Sequence, residues 1–491
     1  MSIAAQSSAI LYSRSLKSLV SHSVIVVWDR KSVYFPLVIY KKRQILGEMQ
    51  GKIKYKPQLD MFKIQLKELV SQEHSLIILS HKIDWSAIDK EFEQYYSKEG
   101  RPSVPTRTMV GLLMLKSMFN ESDETLIPRW FENPYWQYFC GEQFFRHDPP
   151  CDPSDLVHFR KRIQKKGHEY LLKVSAALHG KASQQEMVTI DTTVQEKDIT
   201  FPTDAKLAVA ILKECWRLAD KCNLKLHQSY TRKTAEAKLK VRFGNHPKKK
   251  REAKQAIKDL RKYAKKVIGQ LRNHLSEEQL EASRSRFERY DKVLSQKRDD
   301  RHKIYSLHEP DVYCMSKGKA HKPYEFGCKV SIGVTAKTGI IVAVTSFEEN
   351  KNDVYTLEQT LEQINYTTGK LPKEVICDRG YRGKKKIEDT VITSPKPVPA
   401  DSTRYQKEKV RIKFRRRAAI EPIIGHLKHD HRMARNFLKG NFGDFVNCVL
   451  AGAGFNLKKM LRKIASSLDS LIHWFYSITY ALVCRNNLYL K

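Results

Sequence analysis

No C-x2-C pair occurs anywhere in the 491 residues, and the nine cysteines are scattered and odd in number. That excludes a zinc ribbon and speaks against a disulfide framework; reduced thiols in a cytoplasmic protein are the simplest reading. Long apolar runs are also missing. The most apolar stretch, Leu471–Cys484, is interrupted by His473 and falls short of a bilayer span, so it reads as a buried C-terminal helix and no membrane partner is expected. The first 48 residues lack the basic start and apolar run of a signal peptide. Their strand-like runs do not connect to the pattern of the residues after them, and Met49 is a second candidate for the start of translation. No repeat at a period of about 20–50 residues is present, which excludes solenoids. Acid is scarce as well: 54 Asp+Glu face 89 Lys+Arg, a formal charge of +35.

So large a cationic excess repels itself unless a polyanion shares the surface. Nucleic acid fits best, through phosphate contacts and counterion release; an anionic membrane or ribosomal RNA satisfies the same arithmetic. A hydrophobic fraction of 41% is ordinary for a folded protein, and the length allows two or three domains.

Residues 60–180 read as helical. Met61, Ile64, Leu66 and Leu69 lie near helical spacing, as do Trp85, Ile88, Phe92 and Tyr95, and Thr106 is a candidate cap for an apolar helix. In CDPSDLVHFRKRIQKKG, Asp152 is a good N-cap and Pro153 suits the first helical turn. Leu156, Phe159 and Ile163 form its apolar stripe, leaving Arg160, Arg162 and Lys165 as candidate DNA contacts on a basic remainder. A solvated amphipathic face is the alternative. Residues 205–300 predict long charged helices with few large apolar residues, broken at Asn245-His246-Pro247: a helical insertion rather than a domain of its own.

Strands return in YEFGCKVSIGVTAKTGIIVAVTSF, a hairpin about Lys337-Thr338-Gly339, followed by a helix and a further strand. Two buried strands end in acids: Val188-Thr189-Ile190 runs into Asp191, and Val375-Ile376-Cys377 into Asp378. Acids at neighbouring strand ends repel unless a proton or a hard divalent cation relieves them. Glu421 is the third candidate. Arg417 and Lys428, four residues before it and seven after, fall roughly on its helical face and would grip phosphate beside the metal. Singly, each acid has a plainer reading, as a turn, a cap or a surface ion pair. Their order makes them a set. His426, His429 and His431 lie close by, but an oxygen-preferring cation gives them no ligand role.

TIDTTV, ICDRGYRG and FRRRAAIEPIIGHLK resemble the three acidic motifs of insertion-sequence DDE transposases. One branch carries Tyr-x2-Arg-x3-Glu-x6-Lys; here Phe414, Arg417, Glu421 and Lys428 stand in that spacing, with Phe414 replacing the tyrosine. The resemblance runs over residues 80–465. It implies an α/β, ribonuclease-H-like mixed sheet with flanking helices at 185–465, interrupted by the insertion, preceded by an all-helical DNA-binding or dimerisation region and followed by an apolar tail from 466. It further implies catalysis at Asp191, Asp378 and Glu421, which would hold two Mg²⁺ ions, with Mn²⁺ an acceptable substitute, Asp191 bridging both. Arg379 and Arg382 join Arg417 and Lys428 as phosphate contacts. The expected substrates are double-stranded DNA, as terminal inverted repeats and as target, gripped by a homodimer at the bacterial nucleoid. A transposase-derived DNA-binding protein without catalysis is the alternative, as are a nuclease that does not join strands and a structural RNA-binding protein.

Overall fold

The computed structural model describes residues 50–51, 64–297, 299–316, 322–395 and 401–488, together with two short strands, β1 (Ile25–Val27) and β2 (Leu37–Ile39); Arg416 and residues 468–488 are described as backbone only. Of the described residues, β1, β2, residues 50–51 and residues 97–103 fall in one unit. In it β1 and β2 pair antiparallel, and the Gly51 amide donates to Ser103 Oγ at 3.0 Å.

The second unit takes up the rest of the chain. It opens with helices α1 (Leu66–Leu69), α2 (Ser75–Lys82), α3 (Trp85–Glu93), α4 (Thr106–Phe119), α5 (Asp123–Glu132), α6 (Pro134–Phe139), α7 (Pro153–Arg162) and α8 (Gln164–Ala177). The helix expected from Met61 shrinks to one turn. Gln65 is extended and bridges to Phe144, and Ile64 and Leu69 are exposed, so local spacing gave way to strand-like pairing; Met61 lies outside the described residues. Thr106 is fully buried inside α4, and Pro105 takes the cap position. Asp152 caps α7 as expected, in a reciprocal box with Asp155.

The sheet runs through β3 (Met187–Lys197), β4 (Tyr313–Ser316), β5 (Tyr324–Thr335), β6 (Ile341–Phe347), β7 (Glu374–Ile376), β8 (Lys386–Ile387), β9 (Thr390–Thr393) and β10 (Arg435–Asn436). β3 is central. It pairs antiparallel with β5, which pairs antiparallel with β6, and parallel with β7, which pairs parallel with β9. The β5–β6 turn carries Gly339 at φ +62, where a side chain would be strained. Helix α13 (Leu357–Thr368) packs its Leu361 and Ile364 on one face of the sheet. The other face shares a continuous core with Leu112, Trp130, Phe159 and Leu172 of the N-terminal helices and with Val446, Val449 and Leu457 of α16 (Gly440–Leu488). The Leu471–Cys484 stretch continues α16; its burial lies outside the described residues.

Four helices interrupt the sheet after β3: α9 (Asp204–Lys221), α10 (Thr231–Arg242), α11 (Lys250–His274) and α12 (Glu277–Ser295). The break at Asn245-His246-Pro247 falls where expected. The scarcity of large apolar residues, however, does not deprive the insertion of a core. Ala237, Ala253, Ala256 and Ala264 let helices approach closely around Leu212, Leu260, Leu271 and Phe287, so small residues substitute for bulk. Tyr290 donates to Glu214 at 2.5 Å within it. Lys197, at the end of β3, is buried against Glu309 (3.2 Å) and Asp444 (3.0 Å), tying the exit of the insertion to the start of α16.

The basic segment after β9 forms two helices, α14 (Arg404–Ala418) and α15 (Ile420–Asp430), divided at Ala419. The single face expected for Arg417, Glu421 and Lys428 therefore does not run unbroken. Ile420 and Leu427 are buried and seat α15 beside β3, whereas α14 is mostly exposed.

Candidate active site

Parallel pairing of β3 with β7 matches Thr189 to Ile376, so the acid two residues beyond each lies just past the paired segment; β3 does not end at Asp191 as expected but runs on to Lys197, because its pairing with β5 continues beyond the acid. Asp191 lies within β3, opposite Ile332 of β5. Asp378 follows β7 and caps the 3-10 turn Arg379–Tyr381, accepting the Gly380 amide at 2.8 Å. The two are close enough to interact. Burial pushes the Asp191 carboxyl above its ordinary range, Asp378 and Asp353 push it further, and Arg417 and the Thr192 amide oppose them. Arg417 Nη2 pairs with Asp191 Oδ2 at 3.3 Å, and its Nε is buried without a partner among the described residues.

Asp353 is the residue that sequence reading missed. It starts the 3-10 turn Asp353–Thr356 that leads into α13. Its Oδ1 accepts Thr192 Oγ1 at 2.8 Å and Lys329 Nζ at 3.0 Å. A methyl added to Gly380 would meet Asp353 Oδ2 at 3.0 Å and Asp378 Oδ1 at 3.1 Å, so the two carboxylates flank this glycine. No apolar run precedes Asp353, and the strand-end pattern that marked the other acids is absent. The only local sign was an acid at a helix start, which ordinarily means a cap.

Glu421 is exposed on the first turn of α15 and makes no side-chain hydrogen bond or ion pair among the described residues. Among the described residues no three His, Cys, Asp or Glu side chains gather as a finished metal cage. The carboxylates that do approach nonetheless have the right chemistry for a hard cation: oxygen donors, partial burial and mutual repulsion. Tyr381 is buried beside them, and burial, with the charges of Asp353 and Asp191 adding, drives its phenol far up, so it is no ready nucleophile.

Arg379 and Arg382 are exposed just beyond Asp378, and Lys428 is half-buried on α15. On α7 the outcome differs. Arg160 is 3% exposed and grips Asp123 with both guanidinium nitrogens, at 2.9 and 2.7 Å. It faces inward and offers no surface to a phosphate, because the partly buried Asp123 needs its charge matched. Arg162 stacks over Tyr96 at 4.8 Å, and Lys165 is exposed with Glu348 3.8 Å away. The three histidines stay off the acids: His426 pairs with Asp430, and His431 is buried with Nδ1 on the Ser117 carbonyl, 2.8 Å.

Among the described residues no helix is long and apolar enough to cross a membrane. Residues 64–162 match the family model described as a transposase domain (DUF772), and residues 292–451 match that described as a transposase DDE domain. The second match takes in Asp378 and Glu421 and starts inside the insertion, beyond Asp191. The uncharacterized protein ORF8 in the nfe locus of Rhizobium meliloti is 42% identical over 192 residues, which is 38% of this chain and 93% of that protein. No solved structure matches the chain. Acids on adjoining strands, a basic helix laid beside them and the two transposase matches agree, and the chain belongs to the DDE transposases of insertion sequences.

Proposed function

We propose that this protein cuts the ends of its insertion sequence and joins the freed 3′ ends to target DNA, using a ribonuclease-H-like sheet as platform. Supporting that fold is the strand order: two antiparallel hairpin strands on one side of β3, two parallel strands on the other. The observation that carries the function is the charge arrangement where β7 ends beside β3. Asp191, Asp378 and Asp353 crowd together, and Arg417 already sits on Asp191.

Asp191, Asp378 and Glu421 would hold the divalent cations, Mg²⁺ by preference. When bound, such ions polarise the phosphodiester and lower the pKa of attacking water. Asp191 supplies the central carboxylate, held by the Thr192 amide at 2.8 Å. Glu421 joins from the first turn of α15, which lies against β3. Arg417 then exchanges its carboxylate partner for a phosphate oxygen, a bidentate fit that suits guanidinium. Arg379, Arg382, Lys428, Arg162 and Lys165 steer the backbone of the duplex. Water attacks at the element end in the first step, and the released 3′-OH attacks target DNA in the second. Both are in-line displacements at a phosphodiester, so one site serves both, and no covalent protein–DNA link forms. A dimer holding two ends, working at the nucleoid, completes the reading; Phe414 in place of tyrosine leaves the charged positions of the branch signature in place.

The test is nicking of a labelled element-end duplex in Mg²⁺. Wild type cuts and, given a precut end, joins it. Asp191→Ala retains binding and loses cleavage by roughly 10³-fold or more. Binding without any cleavage by the wild type would overturn the enzymatic reading in favour of a DNA-binding protein; cutting without joining would leave a nuclease.

A further inference from the structure

Away from the acids, the insertion carries a long, strongly basic helix. Helix α11 has nine Lys/Arg against Glu252 and Asp259. Two of the nine serve the fold: Arg261 donates to the Leu294 carbonyl and lies 3.6 Å from Asp204, and Arg272 pairs with Asp291. Five others, Arg251, Lys254, Lys258, Lys262 and Lys265, recur at steps of three and four. They are all exposed and hold no ion pair among the described residues. Helical geometry places them on one narrow face. The opposite face carries Ala256, Leu260, Ala264, Val267 and Leu271 and is spent on the insertion's own core. The basic row therefore does nothing for packing, and like charges at these steps weaken a helix.

We infer that this face of α11 is a second duplex-DNA surface, one that tracks a phosphate backbone apart from the duplex at the acids. The inference rests on the transposase reading and assigns it a further contact region. The argument is complementarity. From Arg251 to Lys265 the row extends ~21 Å at about 1.5 Å per residue, the axial rise of about six phosphates along one strand. Lys248 and Lys249, exposed in the turn before α11, prolong it. Evenly spaced cations along one helix face suit phosphate contacts that position a duplex.

The experiment compares full-length wild type with a variant in which Arg251, Lys254, Lys258, Lys262 and Lys265 are all changed to Gln, which keeps helix propensity. A charge-matched control changes Lys181, Lys213, Lys337, Lys370 and Lys463 to Gln; these are exposed and belong to neither set of proposed contacts. Affinity for a long element-end duplex is measured by anisotropy against salt concentration, without divalent cation. The α11 variant should show a log–log slope shallower by about 4 to 5, as loss of five phosphate contacts requires, and the control a change of about 1 or less. A slope unchanged in the α11 variant, or an equal change in both, overturns the surface. Because no cleavage enters the measurement, its failure is distinct from failure of the catalytic reading, which the Mg²⁺ nicking assay decides on its own.

Discussion

Asp353 shows how one carboxylate can organise others. It accepts from the Thr192 hydroxyl, and the amide of that same residue holds Asp191. Lys329 fixes it from β5 and also donates to the Lys351 carbonyl at 2.6 Å, pinning the loop. Removing the charge while keeping the shape should loosen Asp191 without unfolding the sheet. Asp353→Asn is expected to lower cleavage on the order of 10–100-fold, the usual cost of losing an outer partner of a metal ligand. Binding of the same duplex should stay within about twofold. The comparison is of single-turnover cleavage rate with anisotropy-measured affinity, and an unaltered rate would remove Asp353 from the site. Asp191 and Asp378 were legible in the sequence because an apolar run that stops at an acid is a local pattern. Asp353 was not, since its importance comes from β3 and from Gly380, both far along the chain.

Among the elements, α7 best separates local reading from tertiary outcome. Its cap, its apolar stripe and its basic character all follow from its sequence. Which base faces inward does not. Asp123, at the start of α5, is partly buried with both Lys116 (2.6 Å) and Arg160 on it. Its carboxyl is held below the ordinary range by these cations against the pull of burial. Arg160→Ala leaves that carboxylate short of a partner, and a broken buried pair costs about 3–5 kcal/mol. Urea denaturation should show a loss of this size, with duplex affinity of the folded variant unchanged. A large drop in affinity at unaltered stability would return Arg160 to the DNA surface. Helices α14 and α15 make the same point: a basic amphipathic run predicts helix, but the division at Ala419 follows from burial of Ile420 and Leu427 against the sheet.

For the whole molecule, the charge of +35 predicts binding that weakens steeply with salt, whereas stability against pH is governed by buried groups. His168 and His431 both donate Nδ1–H to a backbone carbonyl, of Gln164 and Ser117, and burial outweighs these bonds to favour the neutral imidazole in each. Burial lowers both to about 4. The unfolded chain then binds more protons than the folded one between about pH 6.5 and 4, so their contribution is present above that window and lost as pH falls through it. Each is worth on the order of 3 kcal/mol across the window. Histidine resonances of the native protein should include two that do not titrate near pH 6.5, and the urea midpoint should fall as the pH is lowered to about 4.5. Two imidazoles titrating normally would contradict the buried neutral assignment.

By itself the sequence determined the class of partner, the alternation of strands and helices, the place of the insertion and two acids that follow apolar runs. Each is written in composition or in a local period, and hydrophobic spacing is a short-range property. Tertiary structure alone decided which bases turn inward, that the insertion has its own core and that Asp353 stands with the acids. Those outcomes join residues far apart in sequence, Arg160 with Asp123 across 37 positions and Thr192 with Asp353 across 161, and burial charges each pairing a desolvation cost that no local pattern records.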